Sequence, residues 1–169
     1  KWVSILTLSQ LREGAPLEMI GDEPDKKCID WLREPILEKG QATTIFAPGG
    51  SGKSYLADYI AVLVQYGKMG MHYWLPAGGN VLYCDWESSA RDHRRRIWAI
   101  KQGMGIDDPD RIFYRFCTEP LTQSLEELQK IVSNHEIQLV IIDSQMAASG
   151  QGNDVAQVAG SYFNALRSF

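Results

Sequence analysis

Eight consecutive residues, Ala47-Pro48-Gly49-Gly50-Ser51-Gly52-Lys53-Ser54, hold the strongest chemical signal in this chain. Glycines at such spacing let backbone N–H groups turn inward around phosphate oxygens, and a helix starting just after them adds the positive end of its dipole. The lysine that follows the last glycine can reach β- and γ-phosphates, and the Ser54 hydroxyl can ligate Mg²⁺. The pattern is a phosphate-binding loop with Ala in its first position instead of Gly. Tyr55 directly follows, so residues 47–55 form the candidate nucleotide-contacting run, with ATP and Mg²⁺ as the expected ligands. A bland Gly-rich turn is the alternative, but a strand pattern directly before the loop and a helix pattern directly after it favour the phosphate site.

Two further stretches end in acids. Leu139-Val140-Ile141-Ile142-Asp143 is a buried-strand pattern closing on a carboxylate. At the C-terminal end of a central parallel strand, such a group can hold Mg²⁺ beside the phosphates. Asp143 therefore joins Ser54 as a candidate metal ligand. Val81-Leu82-Tyr83-Cys84-Asp85-Trp86-Glu87 has the same form. If that strand ends beside the phosphate loop, Glu87 can reach the water that attacks a γ-phosphate and act as general base. Its plainer reading is an acid placed at the start of the next helix, favoured by the dipole. Asp85 is the rival acid, since alternation puts it on one face with Val81 and Tyr83, where it could support Ser54 or the metal. The catalytic candidates are Glu87 and Lys53.

These residues need elements to position them. The run 42–47 is β-branched and apolar, hence an expected buried strand. Leu56, Tyr59, Ile60, Leu63 and Val64 recur at helical spacing over 53–65. Strands are expected at 80–86, 112–117 and 138–143, and helices at 88–103, 124–134 and 153–169, with Ser88 or Ser89 as an N-cap. Such alternation implies parallel strands with helical crossovers, an α/β layered sheet. Residues 1–40 give no clean element series and read as a lead-in arm packed on a core of residues 41–169.

Composition sets limits. With 169 residues, 44% hydrophobic and 22% charged, the chain fits one globular domain and excludes disorder or a coiled coil. A net charge of −4 argues against coating nucleic acid by bulk charge, though a local basic patch remains open. No apolar run approaches the roughly 20 residues of a membrane span, so no membrane partner is expected. Cys28, Cys84 and Cys117 are widely spaced and match neither a zinc site nor a disulfide framework, which points to a reduced, cytoplasmic protein.

The 40–96 region and the Asp143 strand resemble the RecA-like P-loop ATPases, with the nearest likeness to the RepA-type replicative helicases of plasmids and phages. Trp31-Leu32, Gly40, the 47–54 loop, Val81 to Ser88 and Arg94-Arg95-Arg96-Ile97 carry the likeness. The resemblance implies a RecA-like core, a mostly parallel sheet flanked by helices. It also implies a catalytic glutamate after the second strand, where Glu87 stands, and Ser144 beside Asp143 fits that arrangement better than an Asp-Glu pair would. In that family the strand following the Asp143 strand inserts between it and the phosphate-loop strand. No such strand is read before Phe169, so the core is expected to be incomplete at its C-terminus. A ring-like homo-oligomer, in which a neighbour's arginine completes each ATP site, is implied as well.

The expected function is an ATP-hydrolysing motor, a helicase or translocase on single-stranded DNA in the replication of a mobile element. A small-molecule kinase using Arg91–Arg96 as a phosphate-clamping lid, and a non-motor assembly switch, are the rivals. The cluster Arg91, His93, Arg94, Arg95, Arg96 reads first as a solvated helix, and otherwise as an arginine finger or nucleic-acid contact. By resemblance, residues 145–157 could face DNA, and by composition they equally suit a mobile connector. His72, Tyr73 and Trp74 could stack on a base or cap a neighbouring element. His135, after a helix end, needs no catalytic role.

Overall fold

The computed structural model describes residues 31–33, 36–67, 78–107, 112–150 and 155–169. A short hairpin, β1 (Trp31–Arg33) and β2 (Leu37–Glu38), comes first. Then follow α1 (Lys53–Tyr66), β3 (Asn80–Asp85), α2 (Ala90–Met104), β4 (Ile112–Phe116), α3 (Leu121–Asn134), β5 (Ile137–Asp143), α4 (Gln145–Ser149) and α5 (Val155–Leu166). The three long strands form one parallel sheet in the order β4-β3-β5, with Tyr83 level with Tyr114 and Ile141, and Asp85 level with Asp143.

β3 is central, and its run Val81-Leu82-Tyr83-Cys84 is buried on both faces, as a strand clad by helices on each side must be. Alternation divides the core in two. Leu82, Cys84, Phe113, Val140 and Ile142 pack beneath α3, α4 and α5, against Leu121, Leu128, Ala148, Tyr162 and Ala165. On the other face, Val81, Leu139 and Ile141 meet Ile60, Leu63 and Val64 of α1, and Leu32 and Leu37 of the hairpin rest on the same cluster. α2 is tied in through Val62, Ile97 and Ile106. Full burial of each such leucine or isoleucine contributes about 1.5–3 kcal/mol against solvent exposure.

The expected strand over 42–47 is not there. Residues 41–48 are irregular and exposed, and Phe46 keeps 83% of its surface in solvent. An apolar run becomes a strand only where neighbours take up its N–H and C=O groups. Among the described residues none pairs with it, and none hydrogen-bonds to the outer edge of β5. The 145–157 stretch also differs from the expected open loop, because Gln145–Ser149 closes into a short helix that buries Ala148.

Capping sets the helix ends. Ser89, not Ser88, caps α2: its Oγ accepts from the Asp92 N–H and donates to the Asp92 carboxylate. Gly67 and Gly105 close α1 and α2 in the left-handed conformation, which only glycine adopts without steric cost.

Candidate functional site

The loop before α1 turns through Gly50 (φ 73°) and Gly52 (φ 88°), a backbone path that Cβ-bearing residues rarely take. The Lys53 ammonium donates to the carbonyls of Ala47 and Pro48 at 2.8 and 2.9 Å, which folds the side chain over the loop. An added Cβ at Gly49, Gly50 or Gly52 would meet nothing within 4 Å, so the space around this backbone is open to a ligand. Ser51, Gly52 and Lys53 head a helix of 14 residues, whose N-terminal amides and dipole favour an anion. Tyr55 is exposed on the first turn.

Ser54 and Asp143 meet. The Ser54 Oγ donates to Asp143 Oδ2 at 2.6 Å, across 89 positions of sequence. The same carboxylate oxygen accepts from the buried Tyr83 hydroxyl at 3.0 Å. Burial first, and then the neighbouring Asp143 charge, push the Tyr83 phenol well above its ordinary pKa, so it stays a proton donor. A hydroxyl and a carboxylate held this close form the hard oxygen donor set that Mg²⁺ prefers. The donors fit the ion.

Glu87 stands just beyond β3 and accepts a hydrogen bond from Ser144 Oγ. Since Ser144 follows Asp143, the two sequence-predicted acids lie one residue apart across the strand ends. Backbone pairing carries the sheet to the residue before Glu87, with the Trp86 N–H donating to the Asp143 carbonyl at 2.7 Å. The loop lysine, the Ser54–Asp143 pair and Glu87 thus sit at the C-terminal end of a parallel sheet, where α/β folds place ligands.

Asp85 has a different place from the one expected. Its backbone pairs level with Asp143, but among the described residues its carboxylate bonds to neither Ser54 nor the Asp143 side chain. Its Oδ1 accepts the N–H groups of Glu87 and Ser88, each at 2.9 Å, and caps the turn that carries Glu87. Its Oδ2 faces His93 Nε2 at 3.2 Å and the Tyr114 hydroxyl at 3.0 Å. Burial, followed by the bond to Asp85, pushes the Tyr114 phenol up to about 12.

The basic cluster is not a uniformly solvated face. Arg91, Arg94 and Arg95 are exposed, but His93 is buried with its Nδ1 2.7 Å from Asp58 Oδ1. Arg96 donates to the other Asp58 oxygen at 3.1 Å and stacks its guanidinium 5.0 Å from the Tyr55 ring centroid. Burial opposes a charge on His93, yet the Asp58 bond and charge, with Asp85 behind them, outweigh it and raise the pKa above the ordinary histidine value. Residue type alone does not single out Asp58, Tyr83, His93, Tyr114 or Ser144. For His93 a signal exists: it shares helical spacing with Ile97 and Ile100, which face inward.

Other expectations resolve simply. Cys84 and Cys117 are buried thiols, and His135 stacks on Phe113 at 4.5 Å. His72, Tyr73, Trp74 and Cys28 lie outside the described residues. No described helix is long and apolar enough to cross a membrane.

Residues 8–169 match a family described as AAA domain. Over 131 residues the chain is 30% identical to the DNA repair and recombination protein RadB of Methanobrevibacter smithii, an overlap of 73% of this chain and 50% of that protein. Over 113 residues it is 27% identical to the mitochondrial DNA repair protein recA homolog of Dictyostelium discoideum, covering 66% of this chain and 21% of that protein. The chain therefore spans about half and about a fifth of these two relatives.

Proposed function

The chain belongs to the AAA domain family with a RecA-like P-loop ATPase core, and we propose that it binds and hydrolyses ATP with the 47–55 loop, Ser54, Asp143 and Glu87. The observation that carries this reading is the 2.6 Å bond between Ser54 and Asp143, which joins the phosphate loop to the strand-end carboxylate.

In this reading the loop amides of residues 49–53 and the Lys53 ammonium hold the β- and γ-phosphates. Ser54 and Asp143 hold Mg²⁺, which, when bound, offsets phosphate charge. Glu87 takes the proton of the water that attacks the γ-phosphorus as the bond to the ADP oxygen breaks. Ser144, which donates to Glu87, and Asp85, which caps its turn, orient that carboxylate. Tyr83 keeps Asp143 turned toward Ser54.

The proposed work of this ATPase is that of a helicase or translocase on single-stranded DNA, of the RepA-like kind that replicates mobile elements, operating as a ring-like homo-oligomer. DNA roles named for both relatives support a DNA partner. Exposed Arg91, Arg94 and Arg95 are free to reach a neighbouring subunit's nucleotide or a DNA phosphate, whereas Arg96 is committed to Asp58. That commitment counts against a kinase lid built from the whole cluster. A further strand beside β5 is part of the proposal, since it would draw the exposed 42–47 run into the sheet.

The test is steady-state ATP hydrolysis with and without single-stranded DNA. Stimulation by DNA is expected. Phosphate transfer to an added metabolite in place of hydrolysis would move the protein to the kinase class, and hydrolysis indifferent to DNA would leave only the switch.

A further inference from the structure

We propose that Asp58, His93 and Asp85 form a buried relay of positioning residues, which couples the nucleotide-binding helix α1 to the turn carrying Glu87 and so sets where that carboxylate sits. The inference rests on the proposed role of Glu87 and goes beyond it, because none of the three touches the nucleotide loop's phosphate-facing backbone.

The geometry is continuous. Tyr55, at the end of the loop run, lies under the Arg96 guanidinium, and Arg96 binds Asp58 Oδ2. Asp58 Oδ1 meets His93 Nδ1, His93 Nε2 meets Asp85 Oδ2, and Asp85 Oδ1 receives the Glu87 N–H. Every link is a hydrogen bond except the first, a cation–π contact. Asp58 and Asp85 are fully buried, and His93 is 2% exposed.

Both ring nitrogens of His93 face carboxylate oxygens, which only accept, so the ring must donate from both as an imidazolium. Two carboxylates then balance one imidazolium and one guanidinium, and the buried set carries no net formal charge. Neither nitrogen keeps a lone pair for a metal. The ring is held from the sides as well: Tyr83 lies 4.2 Å away and Tyr114 5.5 Å away between centroids. A histidine clamped in this way has one orientation, and it fixes Asp85 in one orientation too. Asp85 has no freedom left to let the Glu87 turn drift. The two tyrosines also touch the acids at either end of the site, Tyr83 at Asp143 and Tyr114 at Asp85.

A relay that acts through Glu87 has a kinetic signature that a merely structural cluster lacks. Steady-state hydrolysis and equilibrium MgATP binding are measured on the full-length protein for His93→Gln, Tyr114→Phe, Glu87→Gln and the double variant His93→Gln/Glu87→Gln. His93→Gln is expected to lower kcat about 10–100-fold, the usual cost of misplacing a reacting group by about 1 Å, with the MgATP Kd within about twofold of the parent. The double variant is expected to be no slower than Glu87→Gln alone. Tyr114→Phe removes one donor from Asp85 without stripping a charge of its partner, and should lower kcat by a smaller factor at unchanged Kd. If His93→Gln fails to fold, Tyr114→Phe decides alone, and a parent kcat there overturns the relay. Parent kcat in both variants, or losses that multiply in the double variant, overturn it while a slow Glu87→Gln keeps the Glu87 reading standing. Parent-rate hydrolysis by Glu87→Gln removes that reading, and the relay with it.

Discussion

Replacing Tyr83 by Phe removes one oxygen and separates the role of Asp143 from the stability of the sheet. The hydroxyl donates to Asp143 Oδ2 at 3.0 Å from a side chain 1% exposed, so a Phe ring in its place leaves that side of the carboxylate without a donor. A hydrogen bond to a charged acceptor contributes roughly 1.5–3 kcal/mol, and part of that returns because Phe no longer buries a hydroxyl. The net loss should be about 1–2 kcal/mol, which for a domain of this size lowers Tm by about 2–8 °C. The ring stays packed on His93, so the fold is kept. Asp143 then keeps its bond from Ser54 but loses the hydroxyl that holds it from the buried side. Losing the partner that orients a metal-ligating carboxylate typically costs about 10–100-fold in metal affinity or activity. The assay is ATP hydrolysis at saturating ATP across a Mg²⁺ titration, beside thermal unfolding. The expected result is a Mg²⁺ midpoint shifted up about tenfold or more, with hydrolysis recovering at high Mg²⁺. An unchanged Mg²⁺ midpoint in a stably folded variant refutes the assignment of Asp143 to the metal.

Three other outcomes follow from the same structure. Glu87→Gln should bind MgATP like the parent but hydrolyse it about 10²–10⁴-fold more slowly in single-turnover assays, the range lost with a general base. His93, whose folded pKa lies above its unfolded one, contributes stability that is fully present below about pH 6.5 and is lost as pH rises through the folded value. Asp58, Asp85, Tyr83 and Tyr114 face that ring and Arg96 shares Asp58 with it, so the unfolding free-energy difference between parent and His93→Gln should shrink as pH rises from 6 to 9 in denaturant titrations. Leu128→Ala, which opens a cavity beneath the sheet at a fully buried site, should cost about 2–5 kcal/mol of stability while leaving the MgATP Kd unchanged.

Much of this was legible in local pattern. Helical spacing placed α1 and α3, and alternation in Val81 to Asp85 put Tyr83 and Asp85 on one face; the pairing of that strand with the Asp143 strand belongs to the fold. The loop glycines and Lys53-Ser54 announced the phosphate site because their chemistry is short-range. What failed depended on partners distant in sequence. The 42–47 run has a strand's composition, but composition cannot supply the neighbour its backbone needs, and the described sheet offers none. His93 was hidden by the arginines around it, since a charge run looks solvated until Asp58, 35 positions earlier, is brought against it. Asp85 read as a rival acid, able to support Ser54 or the metal, because alternation puts it on one face with Val81 and Tyr83. Its side chain turns instead to the Glu87 and Ser88 amides and to α2. Short helix α4 has only five residues, too few to show a helical period, and its fit over α3 and α5 is a matter of tertiary packing.

The central claim, that this loop binds and turns over ATP, is tested most directly by MgATP binding and hydrolysis in Lys53→Ala. Lys53 is partly exposed and its ammonium bonds to two carbonyls of its own loop, so the fold should lose no more than about 0.5 kcal/mol. The account predicts an unchanged unfolding midpoint, with tight MgATP binding or turnover abolished. A folded Lys53→Ala protein that binds and hydrolyses ATP at the parent rate would contradict it.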